Sequence, residues 1–395
     1  MRRSLTPRLA LFALGHFSID AYSSFFTPLL PLLVARLHLS LTAVGGLVAL
    51  TAISSSFGQL AFGLLTDHIR RPWFTAFGPV IAGVFLSAIG LAPSYGALVA
   101  LLMLGGAGVA MFHPQTAVMA SGAGRSRAVG MSIFVTGGTL GFSLGPTFAV
   151  GLESTLGLER SYVAAIPGVL VTLLMLTQFR RLDPHPTRRN DRAPLAELRP
   201  VLKPLSLLYL AVVCRSAVSY GFMTFLPIHL HQRGFSVSAG GHLLTLYLAA
   251  GALGGFFGGW LADRWGGRRV ILRSFVGALP LYVAFLFLPD GPGILSLSLG
   301  SFLLQGSLPV NVVLGQELSP RHSSTISSLL MGAAWGLGAL LIGPVGLIAD
   351  HLGLKSALLV LSAMLGVGLA CAWALPASVD LTRAAPAVEP AVAPE

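Results

Sequence analysis

Long apolar runs recur from end to end of this chain, separated by short breaks rich in Gly, Pro and Arg. They fall near residues 8–35, 41–65, 73–92, 96–119, 128–151, 161–179, 205–230, 239–262, 270–289, 292–315, 323–348 and 353–376. Each approaches the ~20 residues that a helix needs to cross a hydrocarbon core. The pattern predicts an all-α membrane protein of twelve transmembrane helices. One long polar interruption, 180–204, carries Pro184, Pro186, Pro194 and Pro200 among its arginines and divides the runs six and six. It reads as a linker between an N-terminal six-helix bundle, 1–179, and a C-terminal one, 205–376. The Ala/Pro-rich tail, 377–395, is expected to be disordered.

Composition agrees with this reading. Only 10% of the residues are charged, against about 25% in soluble globular proteins. The net charge of +11 first brings nucleic acid to mind, but its distribution argues for topology instead. Twenty of the 25 Lys and Arg residues lie in the N-terminus, the even-numbered connections, the central linker or the tail. Arg36, Arg160, Arg233 and Lys355 lie on the opposite side, and Arg215 lies inside a run. Positive charge collects on the cytoplasmic side, so both termini are expected there, in a bacterial-type cytoplasmic (inner) membrane. Nucleic acid is not an expected partner. The Met1-Arg-Arg start resembles a signal peptide, but the following run is long and carries Asp20, so it reads as a retained first helix. Cys214 and Cys371 both fall within predicted helices, where packing is their default role.

The two halves repeat one another. Gly259-Trp-Leu-Ala-Asp263-Arg264-Trp-Gly266-Gly-Arg268-Arg269 follows Gly63-Leu-Leu-Thr-Asp67-His68-Ile-Arg70-Arg71 at an offset of 196 residues. Three further landmarks share that spacing to within a few residues: Pro28 with Pro227, Pro114 with Pro309, and Gly145-Pro146 with Gly343-Pro344. Four landmarks at one offset indicate an internal duplication of the kind found in secondary transporters.

The duplicated Gly-x-x-x-Asp-Arg-x-Gly-x-Arg-Arg pattern resembles the loop signature of the major facilitator superfamily. The resemblance covers the whole chain. It implies two six-helix bundles around a central cavity that works by alternating access. Three segments are similar to the fosmidomycin-resistance group of exporters: His16-Phe-Ser-Ile-Asp20-Ala-Tyr22 with Pro28 and Pro31, Phe112-His113-Pro114, and Met131 through Gly137-Gly138 to Gly141-Phe-Ser-Leu-Gly145-Pro146. The chain departs from that group at Gln115 and Val118, where an acidic residue and an arginine are usual, and at His68 and Arg70 of the first loop copy.

Within the predicted helices, ionisable residues are functional candidates by default. Asp20 is the leading proton-coupling group, with His16 one turn before it on the same helix face. Burial disfavours its charged form and a nearby cation favours it, so its proton occupancy can follow the state of a cavity. Arg215, in the helix equivalent by repeat to the first, cannot discharge and is expected to bind substrate, with a preference for anionic groups, or to pair with Asp20 across the cavity. His113, Gln115, Tyr22, Tyr220, Gln305 and Asn311 are further substrate-binding candidates. A permanently bonded packing role is the competing reading for each, since polar side chains also join helices. Gating is expected of Gly63, Asp67, Arg70, Arg71, Gly259, Asp263, Arg264, Arg268 and Arg269, as the loop signature implies. Gly141, Gly145 and Pro146 resemble the core of an antiporter motif and join that group, although its flanking glycines are replaced by Ala149 and Val150.

The sequence carries no phosphate-binding loop, Cys/His metal cluster or nucleophile elbow, so no enzyme activity, cofactor or metal is expected. His229 and His231 lie two residues apart and so face different ways on a helix. The expected function is proton-coupled efflux of a small amphipathic or anionic compound, such as an antibiotic. The alternative is a proton symporter or metabolite exchanger of the same fold. Protons, a small-molecule substrate and the lipid bilayer are the expected partners of a monomeric chain.

Overall fold

The computed structural model describes residues 6–66, 72–178 and 194–376. The described residues are helical throughout apart from turns and short connections. The long helical elements are α1 (Pro7–Leu37), α2 (Leu41–Thr66), α3 (Trp73–Leu91), α4 (Tyr95–Ala123), α5 (Val129–Leu156) and α6 (Leu158–Thr177). They continue as α7 (Ala196–Gln232), α8 (Val237–Trp265), α9 (Gly267–Phe285), α10 (Asp290–Leu318), α11 (Thr325–Leu352) and α12 (Leu354–Trp373). Eleven of these are long and apolar enough to cross a membrane. The other, α9, begins Gly267-Arg-Arg and carries Arg273 one turn later, which lowers its apolarity.

Several helix starts are fixed by local side-chain caps. Ser40, Ser94, Ser126 and Ser236 each accept a hydrogen bond from a backbone N–H in the first turn of the helix that follows, which satisfies a donor the helix leaves unpaired. The turn between α8 and α9 passes through Gly266 at φ 84°, in the left-handed region that favours glycine. This explains the glycine of the loop signature. The equivalent Arg70, with Asp67 and Arg71, lies outside the described residues, as do most of the predicted linker and the tail.

Helices α1, α3, α4, α5 and α6 pack on one another, as do α7, α8, α9, α10 and α12. The repeat is visible in detail. Gly63 of α2 sits against Pro114 of α4, and Gly259 of α8 sits against Pro309 of α10. Small residues permit such close approach between membrane helices.

Contacts between the two halves gather toward one end of the molecule. There α2 runs beside α11, with Gly45 against the backbone at Ile342 and Gly346 against the backbone at Leu41. Thr147 of α5 bonds Thr245 and His242 of α8. Asp350, near the end of α11, accepts three hydrogen bonds from Leu41 and Thr42 at the start of α2. The close pairing of α2 and α11 reaches two π-helical turns that touch one another, Ile53–Phe57 and Ser328–Ala333. Past its turn, the Gly58–Thr66 segment of α2 packs on α4 of its own half.

Candidate functional site

Asp20 lies in the interior of α1, and its carboxylate bridges two imidazoles. His16, one helical turn earlier, places Nε2 3.2 Å from Oδ2. His113 of α4 places Nε2 3.3 Å from Oδ1. Each imidazole is held from its other side. His16 Nδ1 lies 2.8 Å from the Phe134 carbonyl of α5, and His113 Nδ1 lies 2.8 Å from the Val109 carbonyl one turn back along α4. The His16 ring also stacks on Phe134 with 4.0 Å between centroids. The side chains of Asp20 and His113 keep 20% and 21% of their surface accessible, while His16 keeps 9%.

Hydrogen-bond logic assigns the protons of this group. A carbonyl oxygen only accepts, so both Nδ1 atoms carry hydrogen. Both Nε2 atoms therefore face the carboxylate either with a lone pair or with a further proton. Each Nε2···Oδ contact is a hydrogen bond only if one proton lies in it. The fully bonded group thus holds two protons between three side chains and has a net charge of +1. Removing one proton makes it neutral and sets a nitrogen lone pair against a carboxylate oxygen in one of the two contacts.

Helix α5 lets these groups meet. A Cβ on Gly138 would collide with His16 Nε2 and stand 2.6 Å from Asp20 Oδ2. Further along, Gly141 lies against the backbone at Phe17, and Gly145 lies against Ser24 and the Ala21 carbonyl. The Gly-x-x-x-Gly spacing in α5 therefore brings it onto the α1 backbone.

Arg215 of α7 forms a separate group. Its Nη1 donates to Gln305 Oε1 at 2.8 Å and its Nη2 to Ser216 Oγ at 3.2 Å. The guanidinium lies 5.4 Å from the Trp335 ring centroid. Asp20 and Arg215 do not form an ion pair; each is bound within its own half.

The remaining candidates are placed as follows. Tyr22 Oη donates to the Ala164 carbonyl at 2.6 Å and accepts from Gly168 N at 2.9 Å, tying α1 to α6. Gln115 is buried and accepts from Thr75 N and Oγ1, tying α4 to α3. Asn311 is buried with neither amide atom hydrogen-bonded. In the second loop copy, Gly259 and Asp263 line a recess of about 210 Å³ with Pro309 and Glu317. Arg268 donates to the carbonyls of Trp373 and Leu375 at the end of α12, both at 2.7 Å. Arg264 stacks on Trp260, and Arg269 reaches the Trp265 carbonyl. Pro146 lies within α5, and the N–H of the following Thr147 bonds Thr245 of α8.

Spacing in the sequence gives no metal-binding cluster, yet the donor atoms of His16, Asp20 and His113 lie within 4.8 Å of one another. They meet the distance condition for a shared cation. Sequence reasoning missed the roles of Phe134, Gly138 and Trp335. Only Gly138 left a signal there, in the Gly137-Gly138 pair.

The profile of the Major Facilitator Superfamily matches residues 12–343. The chain belongs to the major facilitator superfamily. It is 28% identical over 359 residues to the fosmidomycin resistance protein of Escherichia coli (strain K12), covering 88% of this chain and 87% of that one. Among solved structures, it is similar to a bacterial homologue of the human lysosomal transporter Spinster in an inward-facing, unoccupied conformation. That match has a TM-score of 0.81 at 19% identity and covers 96% of this chain and 98% of the other. A mutant form of the nucleoside transporter NupG matches with a TM-score of 0.76 at 15% identity, covering 93% and 98%. This major facilitator protein is a multi-pass membrane transporter with the fold of its superfamily.

Proposed function

We propose that this protein is a proton-coupled exporter of a bacterial-type cytoplasmic membrane, moving a small amphipathic or anionic compound outward by alternating access. The observation that carries this reading is the Asp20 carboxylate held between His16 and His113. With two protons the group is fully bonded. With one, either the His16 contact within α1 or the His113 contact between α1 and α4 becomes repulsive, and the carboxylate or an imidazole moves to relieve it. Proton occupancy then biases the relative positions of α1, α4 and α5, which is what coupling requires. The accessible faces of Asp20 and His113 provide a route for exchange with water. The resistance named for the similar Escherichia coli protein is an outcome that outward movement would produce, and it makes fosmidomycin the first compound to test.

The distribution of basic residues supports twelve spans, with α9 the ninth, and both termini in the cytoplasm. On that topology the end closed by Asp350 and Thr147 is the outer face, and the cavity opens inward. The bundles are residues 1–179 and 205–376, working as a monomer. Asp263 and the loop arginines act at the inner gate, with Gly141, Gly145 and Pro146 guiding α5 against α1.

The test uses purified protein in liposomes with an imposed pH gradient, radiolabelled fosmidomycin and a panel of small organic anions. The wild type is expected to accumulate at least one compound in response to the gradient. Asp20→Asn is expected to lose that response while keeping exchange without a gradient. Gradient-driven accumulation surviving in Asp20→Asn would overturn the assignment.

A further inference from the structure

Arg215 carries a full charge inside α7, and its side-chain contacts are neutral. Its acceptors are the Gln305 amide and the Ser216 hydroxyl, its ring neighbour is Trp335, and Nε has no acceptor. Among the described residues, no carboxylate lies within ion-pair distance. The residue is 2% exposed. A guanidinium offers five N–H donors, so more than half remain available here. Tyr220, Tyr247 and Tyr282 are its further aromatic neighbours, and the last two bond each other through their hydroxyls at 3.0 Å. The surroundings therefore supply a cation and aromatic rings but no anion. A charge removed from water in this way is costly unless a counter-charge joins it.

Two irregularities in the backbone flank the charge. The Asp290–Gln305 segment of α10 continues through Gly306, which keeps helical dihedrals, into Ser307–Leu318, where Pro309 has no N–H to bond the Gln305 carbonyl one turn back. Trp335 is the second residue after the π-helical turn Ser328–Ala333. Such turns inside α-helices frequently occur at functional sites. Both side chains that hold Arg215 from other helices thus stand where their helix can rearrange, so the guanidinium can be uncovered without unfolding a regular segment.

We propose that Arg215 is the receptor for an oxyanion, carboxylate or phosphonate, on a transported compound that also has an apolar or aromatic face. The free Nε edge of the guanidinium accepts the anion, and Trp335 moves aside to lie against the apolar face. Planar, paired donors suit Arg for this task better than a lysine ammonium. The inference rests on the transporter reading above and narrows its substrate to a class.

Benzoate, phenylphosphonate and the neutral benzamide serve as probes of the full-length protein in detergent. The readouts are tryptophan fluorescence, with the Trp335 contribution assigned from Trp335→Phe, and thermal stabilisation. Both anions are expected to give saturable changes in the wild type, and benzamide none. Arg215→Gln is expected to raise the midpoints at least tenfold. Arg215→Lys, which keeps the charge and serves if the Gln variant does not fold, is expected to raise them several-fold. Asp20→Asn is expected to keep saturable binding of both anions, with midpoints moved by its coupling to the proton group, which separates a failure of anion binding from a failure of proton coupling. Absence of anion binding in the wild type, equal binding of benzamide, or wild-type midpoints in both Arg215 variants would overturn the proposal.

Discussion

The carboxylate of Asp350 caps a helix of the other half of the molecule: Oδ2 accepts from Thr42 N at 2.8 Å and from Thr42 Oγ1 at 2.6 Å, while Oδ1 accepts from Leu41 N at 2.7 Å. Free N–H groups and the positive end of the helix dipole both favour an anion there. The cap arrives from α11, so it holds only while α2 and α11 lie side by side. It is a latch between the halves.

Asp350→Ala is expected to release it. Ser40 still caps Ala43 N, and if losing the Asp350 acceptor costs as much as losing an N-cap, ~0.5–2 kcal/mol, the population open at this end should rise roughly 2- to 30-fold. Spin labels on Ser154 and Gln232, at exposed positions of α5 and at the end of α7, should show a longer-distance population by electron resonance. An unchanged distance distribution would mean that the remaining contacts between the halves suffice.

Gly138→Ala tests whether the proton group needs its close approach to α5. The new methyl would collide with His16 and Asp20, whereas Gly151 of the same helix has open space around its Cβ position. Overpacking of this kind costs ~1–3 kcal/mol. Gradient-driven transport is expected to fall about tenfold or more in Gly138→Ala and to stay near wild type in Gly151→Ala. Similar rates in the two variants would count against a tight geometry at Asp20.

His16 and His113 share one carboxylate, so their contributions should not add. His16→Gln and His113→Gln are each expected to reduce proton-coupled transport strongly, and the double variant little further. A double-mutant cycle on initial rates measures this. Full additivity would show that the two imidazoles act independently.

The loop arginines should differ in stability rather than share one role. Arg268 donates two hydrogen bonds to carbonyls that end α12, while Arg264 lies over the Trp260 ring. Charged hydrogen bonds contribute ~1.5–3 kcal/mol and an exposed cation–π contact ~0.5–1 kcal/mol. Thermal melting should therefore drop further for Arg268→Ala than for Arg264→Ala. Equal losses would show that the α12 carbonyls find other donors.

Much of the fold was legible because apolar length is a local property. The predicted run 8–35 is observed as Pro7–Leu37, and 353–376 as Leu354–Trp373. The run 270–289 begins three residues earlier in the structure, at Gly267, because Gly266 completes the turn and the arginines join the first turns of the helix. The π-helical turns in α2 and α11 left no trace in the apolar pattern. They lie where helices of the two halves meet.

Candidate residues were legible one at a time, their partnerships less so. His16 and Asp20 were paired by helical spacing, and the structure keeps that contact. His113 stands 93 positions further along than Asp20, and nothing in the sequence set its ring against that carboxylate. A pairing of Asp20 with Arg215 was open on sequence grounds because opposite charges in an apolar medium attract. In the structure, α1 turns Asp20 toward α4 and α5 of its own half, and Arg215 lies beneath Trp335 in the other.

By itself, then, the sequence determined that this chain crosses a membrane many times, that its halves repeat, and which few ionisable side chains it carries through the apolar region. Those properties follow from the cost of moving polar groups out of water, residue by residue. Tertiary structure alone decided which of those side chains lie within hydrogen-bond length of one another, which cation lacks an anion, and at which end the halves are bonded together. Those depend on helices distant in sequence meeting within hydrogen-bond length, and helix packing fixes that distance.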